Sequence, residues 1–294
     1  MDDEIRNWTA ALASGARAAG HALFASRIES GEVATDFVHY ADLFVEDQAQ
    51  GQGLDLTEDE AEFLVRLITG FVDEQLEECT EPAEQELLQH ARATLTPTGQ
   101  EQGILAPVRW AINATTSLLA LPGLQRAGQW AGSKLLVRDF AQVARYLGRS
   151  DELDTRIRRR LHDALDREPD VVIAHSLGSV VAWEALHEHP GRLPLLVTLG
   201  SPLAMRTVVW PHLVPRPPAT PPGVQQWLNC WDRDDIIVAR PRLENEIRAN
   251  ADNVRLRSVR IDSDGFWTHT ATKYLCQAQL AGPVAEVAAR ETPG

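Results

Sequence analysis

The stretch V-V-I-A-H-S-L-G-S-V-V-A-W, residues 171–183, constrains the fold more than any other part of the chain. Asp170–Ala174 is a short apolar, β-branched run, the pattern of a parallel strand buried on both faces. Behind Ser176 the sequence predicts a helix over Gly178–His189, stopped by Pro190-Gly191. Only a tight turn joins such a strand to such a helix. It strains the serine and requires small residues two positions away on either side, here Ala174 and Gly178. Further apolar runs at Pro194–Leu199, Val224–Trp231 and Val254–Ile261 read as strands, and a helix is expected from Thr270 to Ala281. This alternation predicts an α/β fold with a mostly parallel sheet flanked by helices.

The first half of the chain has a different texture. Ile5, Trp8, Leu12, Ala16 and Ala19 recur at helical spacing and predict one helix over residues 3–29, followed by a short strand at Thr35–Tyr40. Helices are then expected at Glu58–Cys79 with Thr57 as N-cap, at Pro82–Leu95 with proline in the first turn, and at Ile104–Leu121, Ser133–Leu147 and Asp151–Asp166. The resulting division is 1–44, an N-terminal helix and strand of the core; 45–132, a large helical, cap-like insertion ahead of the serine strand; and 133–294, the rest of the core. The acidic stretches Glu58–Glu62 and Asp73–Glu86 and the run Arg158-Arg159-Arg160 read as solvated helix faces.

Charge excludes some partners. With 28 basic against 42 acidic side chains the net charge is −14, which repels phosphate backbones and anionic bilayers. No nucleic-acid partner is expected, and membrane contact is at most peripheral. The three cysteines have no CxxC or zinc spacing, so neither a disulfide framework nor a structural zinc site is expected. The acidic N-terminus does not have the charge pattern of a signal peptide. The most apolar long stretch, residues 103–124, is interrupted by Pro107, Arg109, Asn113 and Pro122, against the ~20 apolar residues that a membrane span needs. A cytoplasmic location is the expectation.

Chemistry centres on Ser176. The turn exposes its hydroxyl and aims the Leu177 N–H and the helix N-terminus at any oxyanion forming beside it; the plainer reading is a helix cap. A serine hydroxyl is a weak nucleophile and needs a base held by an acid, here expected in the chain order Ser, Asp/Glu, His. The segment D-R-D-D-I-I-V, 232–238, follows a predicted strand. Asp235, ahead of an apolar pair, is the preferred acid, with Asp232 and Asp234 as alternates. Each of the three also reads as a hydrated turn or a cap, and together they suggest a divalent-cation site short of further oxygen ligands. His269, where a loop opens the terminal helix, is the preferred base, its plainer reading being a cap or a surface histidine. His175 is expected to point away across the turn, His187 and His189 to complement a helix end, and His162 and His90 to be solvated. No metal and no cofactor is called for.

Four stretches, A-H-S-L-G-S-V-V-A-W-E-A-L, L-V-T-L-G-S-P-L, W-L-N-C-W-D-R-D-D-I-I-V and T-H-T-A-T-K-Y-L, occur in the order found in the α/β-hydrolase superfamily. Residues from about 134 to 281 resemble a bacterial lipase/esterase-like group within it. The resemblance implies Ser176 as nucleophile, Asp235 as orienting acid, His269 as base and the Leu177 N–H in the oxyanion hole. It implies hydrolysis of a carboxylic ester, of a small molecule or a lipid, without a cofactor. An acyltransferase, thioesterase or peptidase would use the same residues, and a catalytically impaired member would be a binding protein. Members of the group usually begin with an apolar strand ending in His-Gly that supplies a second oxyanion donor. This sequence opens instead on what resembles the following helix (Trp8, Leu12, Ala19, Gly20), then F-V-H-Y-A-D-L in place of the next strand. The expectation is that the strand is encoded upstream of Met1 or that the site is completed differently. Within the cap-like insertion, Ile104–Leu121 reads as an apolar acyl-binding wall or as a buried core helix.

Overall fold

Four short strands, β1 (Val171–His175), β2 (Leu195–Leu199), β3 (Trp227–Asp232) and β4 (Arg257–Ile261), run parallel in the order β1-β2-β3-β4. They belong to a computed structural model that describes residues 2–46, 58–95, 131–149, 152–206, 208–232, 235, 237–238, 243–262 and 269–290. The helices are α1 (Asp2–Ala18), α2 (Ala22–Glu29), α3 (Leu43–Glu46), α4 (Glu58–Glu78), α5 (Pro82–Thr94), α6 (Ala131–Gly148), α7 (Leu153–Leu165), α8 (Leu177–Glu188), α9 (Ala271–Leu275) and α10 (Ala278–Arg290). The chain divides into two compact units, one of Met1–Tyr40, Thr155–Ala204 and Leu213–Gly294, the other of Ala41–Asp154 and Met205–His212. No helix among the described residues is long and apolar enough to cross a membrane.

In the first unit the period-two alternation of strands separates two faces. Leu195, Val197 and Leu199 of β2, Leu228 and Cys230 of β3 and Ile261 of β4 form one core with residues of α1, α2, α9 and α10. Thr198, Asn229 and Ser258 alternate with that apolar set, and they are bonded in a row across the sheet. The Trp227 indole N–H donates to Thr198 Oγ1 (3.0 Å), Thr198 Oγ1 donates to Asn229 Oδ1 (2.9 Å), and Asn229 Nδ2 donates to Ser258 Oγ (3.5 Å). Thr198 pairs with Asn229 and Asn229 with Ser258, so a slip of one residue would break this row and turn the apolar set out of its core.

Several expected elements have different bounds. The helix expected over 3–29 breaks at Gly20, whose φ is +88°. The His21 N–H bonds the Ala16 carbonyl and the Gly20 N–H that of Arg17, the paired closure of a helix that ends on a left-handed glycine. The strand expected at Thr35–Tyr40 forms no ladder. Side chains hold it instead: Arg160 Nη1 donates to the His39 carbonyl (2.6 Å), Arg167 pairs with Asp36, and Phe37 packs edge-on against Trp8. β3 begins at Trp227 and not at Val224, which makes only an isolated bridge with Leu193. β4 begins at Arg257 because Val254 closes a turn on the Asn250 side chain, with Asn253 at φ +60°. The terminal helix is two helices, α9 and α10.

The arginine run is not a solvated face either. Arg158 Nη1 lies 3.3 Å from Glu184 Oε2, and that carboxylate is buried in α8, where Oε1 also accepts the Val214 N–H. Only Arg159 of the three is exposed. Charge alone places such a run on the outside, but α8 is apolar almost all round, and its one buried carboxylate needs a cation.

In the second unit Leu64, Leu67, Ile68, Phe71 and Val72 of α4 are buried, as are Phe140, Ala144 and Leu147 of α6, with the Phe71 and Phe140 ring centroids 5.6 Å apart. Glu60 and Glu74, expected to be solvated, are buried, and Glu60 pairs with the buried Arg145 at 3.1 Å. The Ile104–Leu121 segment and the Thr57 cap lie outside the described residues.

Candidate active site

Ser176 sits between β1 and α8 with φ +51° and ψ −129°, a backbone conformation that costs a non-glycine residue about 1–3 kcal/mol. The surroundings hold it there. Its N–H bonds the Leu199 carbonyl at 3.0 Å, and its carbonyl accepts both the Ser179 N–H (2.9 Å) and the Ser179 hydroxyl (2.6 Å). Ser179 Oγ lies in turn 2.7 Å from Ser201 Oγ, a fully buried pair. The serine thus stands at the N-terminus of α8, and Leu177, in the first helical position, belongs to the turn whose amides have no acceptor within the helix.

His269 lies just ahead of α9, with Nε2 2.9 Å from Ser176 Oγ and Nδ1 2.9 Å from both Asp235 Oδ1 and Asp235 Oδ2. The carboxylate places the ring proton on Nδ1 and leaves Nε2 to accept from the serine hydroxyl. The Asp235 side chain is fully buried. It also accepts the Ile237 N–H on Oδ1 (3.0 Å) and the Tyr274 hydroxyl on Oδ2 (2.6 Å). Burial pushes the Asp235 carboxyl up, but the His269 charge and these donors outweigh it and hold the group below its usual range. Asp232 ends β3, and its backbone N–H donates to the Tyr274 hydroxyl at 3.2 Å. Asp234 lies outside the described residues. Among the described residues no group of three or more His, Cys, Asp or Glu is placed to hold a metal ion.

His175 does not leave the site as expected. Its ring centroid is 4.6 Å from that of His269, because β1 keeps its alternation through His175 and puts the ring on the same face as Val171 and Ile173, beside Trp8 and Tyr274. Burial, reinforced by the His269 charge and only partly opposed by Asp235, pushes His175 down to about 3. His187 turns back onto its own helix, with Nδ1 2.8 Å from the Trp183 carbonyl and its ring against Trp183, and burial lowers it too. The ring thus meets a carbonyl near the C-terminal end of its helix, as a side chain complementing the helix end does. His162, expected to be solvated, faces Glu188 at 3.0 Å.

Gly200, at the end of β2, was missed. With φ +50°, it lies so close under the pair that a Cβ there would meet Asp235 Oδ2 at 2.6 Å and His269 Nδ1 at 3.0 Å. The signal in the sequence was the glycine directly behind a buried strand, at the sheet edge where such sites form. Tyr274, Ser179 and Ser201 gave no such signal. On the other side of the turn, the Tyr40 hydroxyl lies 3.2 Å from where a Gly178 Cβ would stand.

Compared with models of protein families, with curated proteins and with solved structures, the chain matches none. Any reading of its chemistry therefore rests on the geometry.

Proposed function

We propose that the chain is a serine hydrolase of the α/β-hydrolase type that cleaves carboxylic esters through an acyl-enzyme. One observation carries the reading: a serine strained to positive φ at a strand–helix turn, in hydrogen-bond reach of a histidine whose other nitrogen faces a buried carboxylate. A serine that merely caps a helix needs neither the strain nor the imidazole.

In this mechanism His269 Nε2 takes the proton from Ser176 Oγ as the oxygen attacks the ester carbonyl. Asp235 keeps the second ring proton on Nδ1 and stabilises the imidazolium without itself taking a proton. The Leu177 N–H faces the tetrahedral oxyanion. The intermediate collapses, His269 protonates the departing alcohol, and the acyl group stays on Ser176. Water, deprotonated by His269, then attacks the acyl carbonyl and releases the acid. His175 stays uncharged beside the ring, so the imidazolium meets no second cation.

Labelling with a fluorophosphonate tests the reading, since it demands an activated serine. Wild-type protein should be labelled on Ser176 and Ser176→Ala should not, while the circular dichroism of the two agrees. A panel of esters, thioesters and amides with free alcohols as acceptors then defines the acyl chemistry. Undiminished ester turnover by pure Ser176→Ala would end the proposal.

A further inference from the structure

We propose that Tyr274 is a positioning residue for this site: its hydroxyl sets the rotation of the Asp235 carboxylate and, through it, the imidazole that faces Ser176. The inference rests on the serine hydrolase reading and adds to it a residue that works through the acid.

The hydroxyl has a defined direction. It accepts the Asp232 N–H (3.2 Å), an amide fixed by its place at the end of β3, and donates to Asp235 Oδ2 (2.6 Å). With a lone pair occupied by a strand amide, the O–H is aimed at the carboxylate. Burial, and then the Asp235 charge, raise the Tyr274 hydroxyl far above its usual range, so it is a permanent donor. The ring itself is fully buried in the core shared by α1, α2, α9 and α10, so the donor is as rigid as the core.

The effect on Asp235 follows from its two oxygens. Oδ1 is held by the Ile237 N–H and Oδ2 by Tyr274, while His269 Nδ1 is 2.9 Å from both. Rotation of the carboxylate about its Cβ–Cγ bond would break one of the two fixed bonds. The Ile237 donor belongs to the same short segment as Asp235 and would move with it, whereas Tyr274 is set by a helix and a strand that the segment does not control. Without the hydroxyl, Oδ2 loses its only fixed donor among the described residues and the carboxylate is free to turn toward Ile237. The imidazole follows it, and a displacement of an ångström at the reacting atoms costs about 10²-fold in rate.

Tyr274→Phe keeps the ring and removes only the hydroxyl. Ester hydrolysis should lose roughly 10- to 100-fold in kcat, with KM within about twofold. In an Asp235→Asn background the same substitution should cost nothing further, because the residue acts through that carboxylate. A second readout needs no turnover: the low-field proton resonance of the His269 Nδ1–H should shift and broaden in Tyr274→Phe. An unmoved resonance with wild-type kcat would overturn the proposal, as would a lowered melting temperature with the resonance unmoved, or an equal loss in both backgrounds. If wild-type protein is not labelled by a fluorophosphonate, the hydrolase reading fails, and the resonance still decides whether Tyr274 positions the pair.

Discussion

Replacing Gly200 with alanine would bring a methyl carbon 2.6 Å from Asp235 Oδ2 and 3.0 Å from His269 Nδ1, where ordinary contact begins at 3.4 Å. The first overlap is about 0.8 Å. Asp235 cannot retreat freely, since its side chain is fully buried and bonded to Tyr274 and Ile237. The pair must shift by most of an ångström, which at a reacting centre costs about 10²-fold in turnover. Stability falls for two reasons. A side chain at φ +50° costs about 1–2 kcal/mol, and distorting hydrogen bonds to a buried charge costs about 1–2 kcal/mol more. At roughly 2–4 °C per kcal/mol for a chain of this size, the melting temperature should drop by about 5–15 °C. Gly20→Ala is the control: its φ is +88°, yet a Cβ there meets nothing within 4 Å, so it carries the backbone strain alone. The assay is the second-order rate of fluorophosphonate labelling beside a thermal melt for both variants. Gly200→Ala labelled at the wild-type rate, or Gly20→Ala slowed as much as Gly200→Ala, would refute the close-approach argument.

Asp235→Asn should lower turnover by about 10⁴-fold, since an amide does not hold the required tautomer, while Asp232→Asn should lower it far less; the reverse ranking in ester kinetics would move the acid to Asp232. His175 ties stability to pH: its folded-state value of about 3 lies below the ~6.5 of an unfolded histidine, so its contribution is complete above ~6.5 and is lost as pH falls toward 3. Between pH 7 and pH 4 urea unfolding should show wild type losing about 3 kcal/mol more than His175→Gln, and equal losses would show that His175 takes up its proton while folded. Glu184→Gln weakens a charge-assisted contact to Arg158, which keeps Glu188 at 3.3 Å, and should cost about 2 kcal/mol, whereas Arg159→Ala should cost under about 0.5 kcal/mol. Equal melting temperatures for those two variants would return the arginine run to the solvated face first expected of it.

What the sequence alone determined was local. An apolar β-branched run, a serine, then a helix with small residues on either side of the turn is a pattern of neighbours, and sterics within a few residues impose it. The strands at 171–175 and 195–199 and the helix at 177–188 fall where the residues predicted them, to within a residue at either end. Asp235 and His269 were legible for a related reason: each follows a predicted strand, and the C-terminal ends of parallel strands share one edge of a sheet. The sequence could not say which carboxylate of 232–238 reaches the imidazole, because the contact spans 34 residues and depends on where the loop turns.

The tertiary structure decided the rest. Gly200, Tyr274 and His175 meet the pair across chain separations that no periodicity encodes: the sequence places Tyr274 in a helix, Gly200 just behind a strand and His175 at a turn, pointing away. The extended stretch at 35–40 forms no ladder because arginines of α7 and the loop after it hold it from the side. Charges expected in water, Arg158, Glu60 and Glu74, went inside or partly inside, since helical spacing reports which residues share a face but not what covers it. A local pattern is set by bonds and sterics along the chain; a contact between distant segments is set by how whole elements pack, and only the packed molecule contains that information.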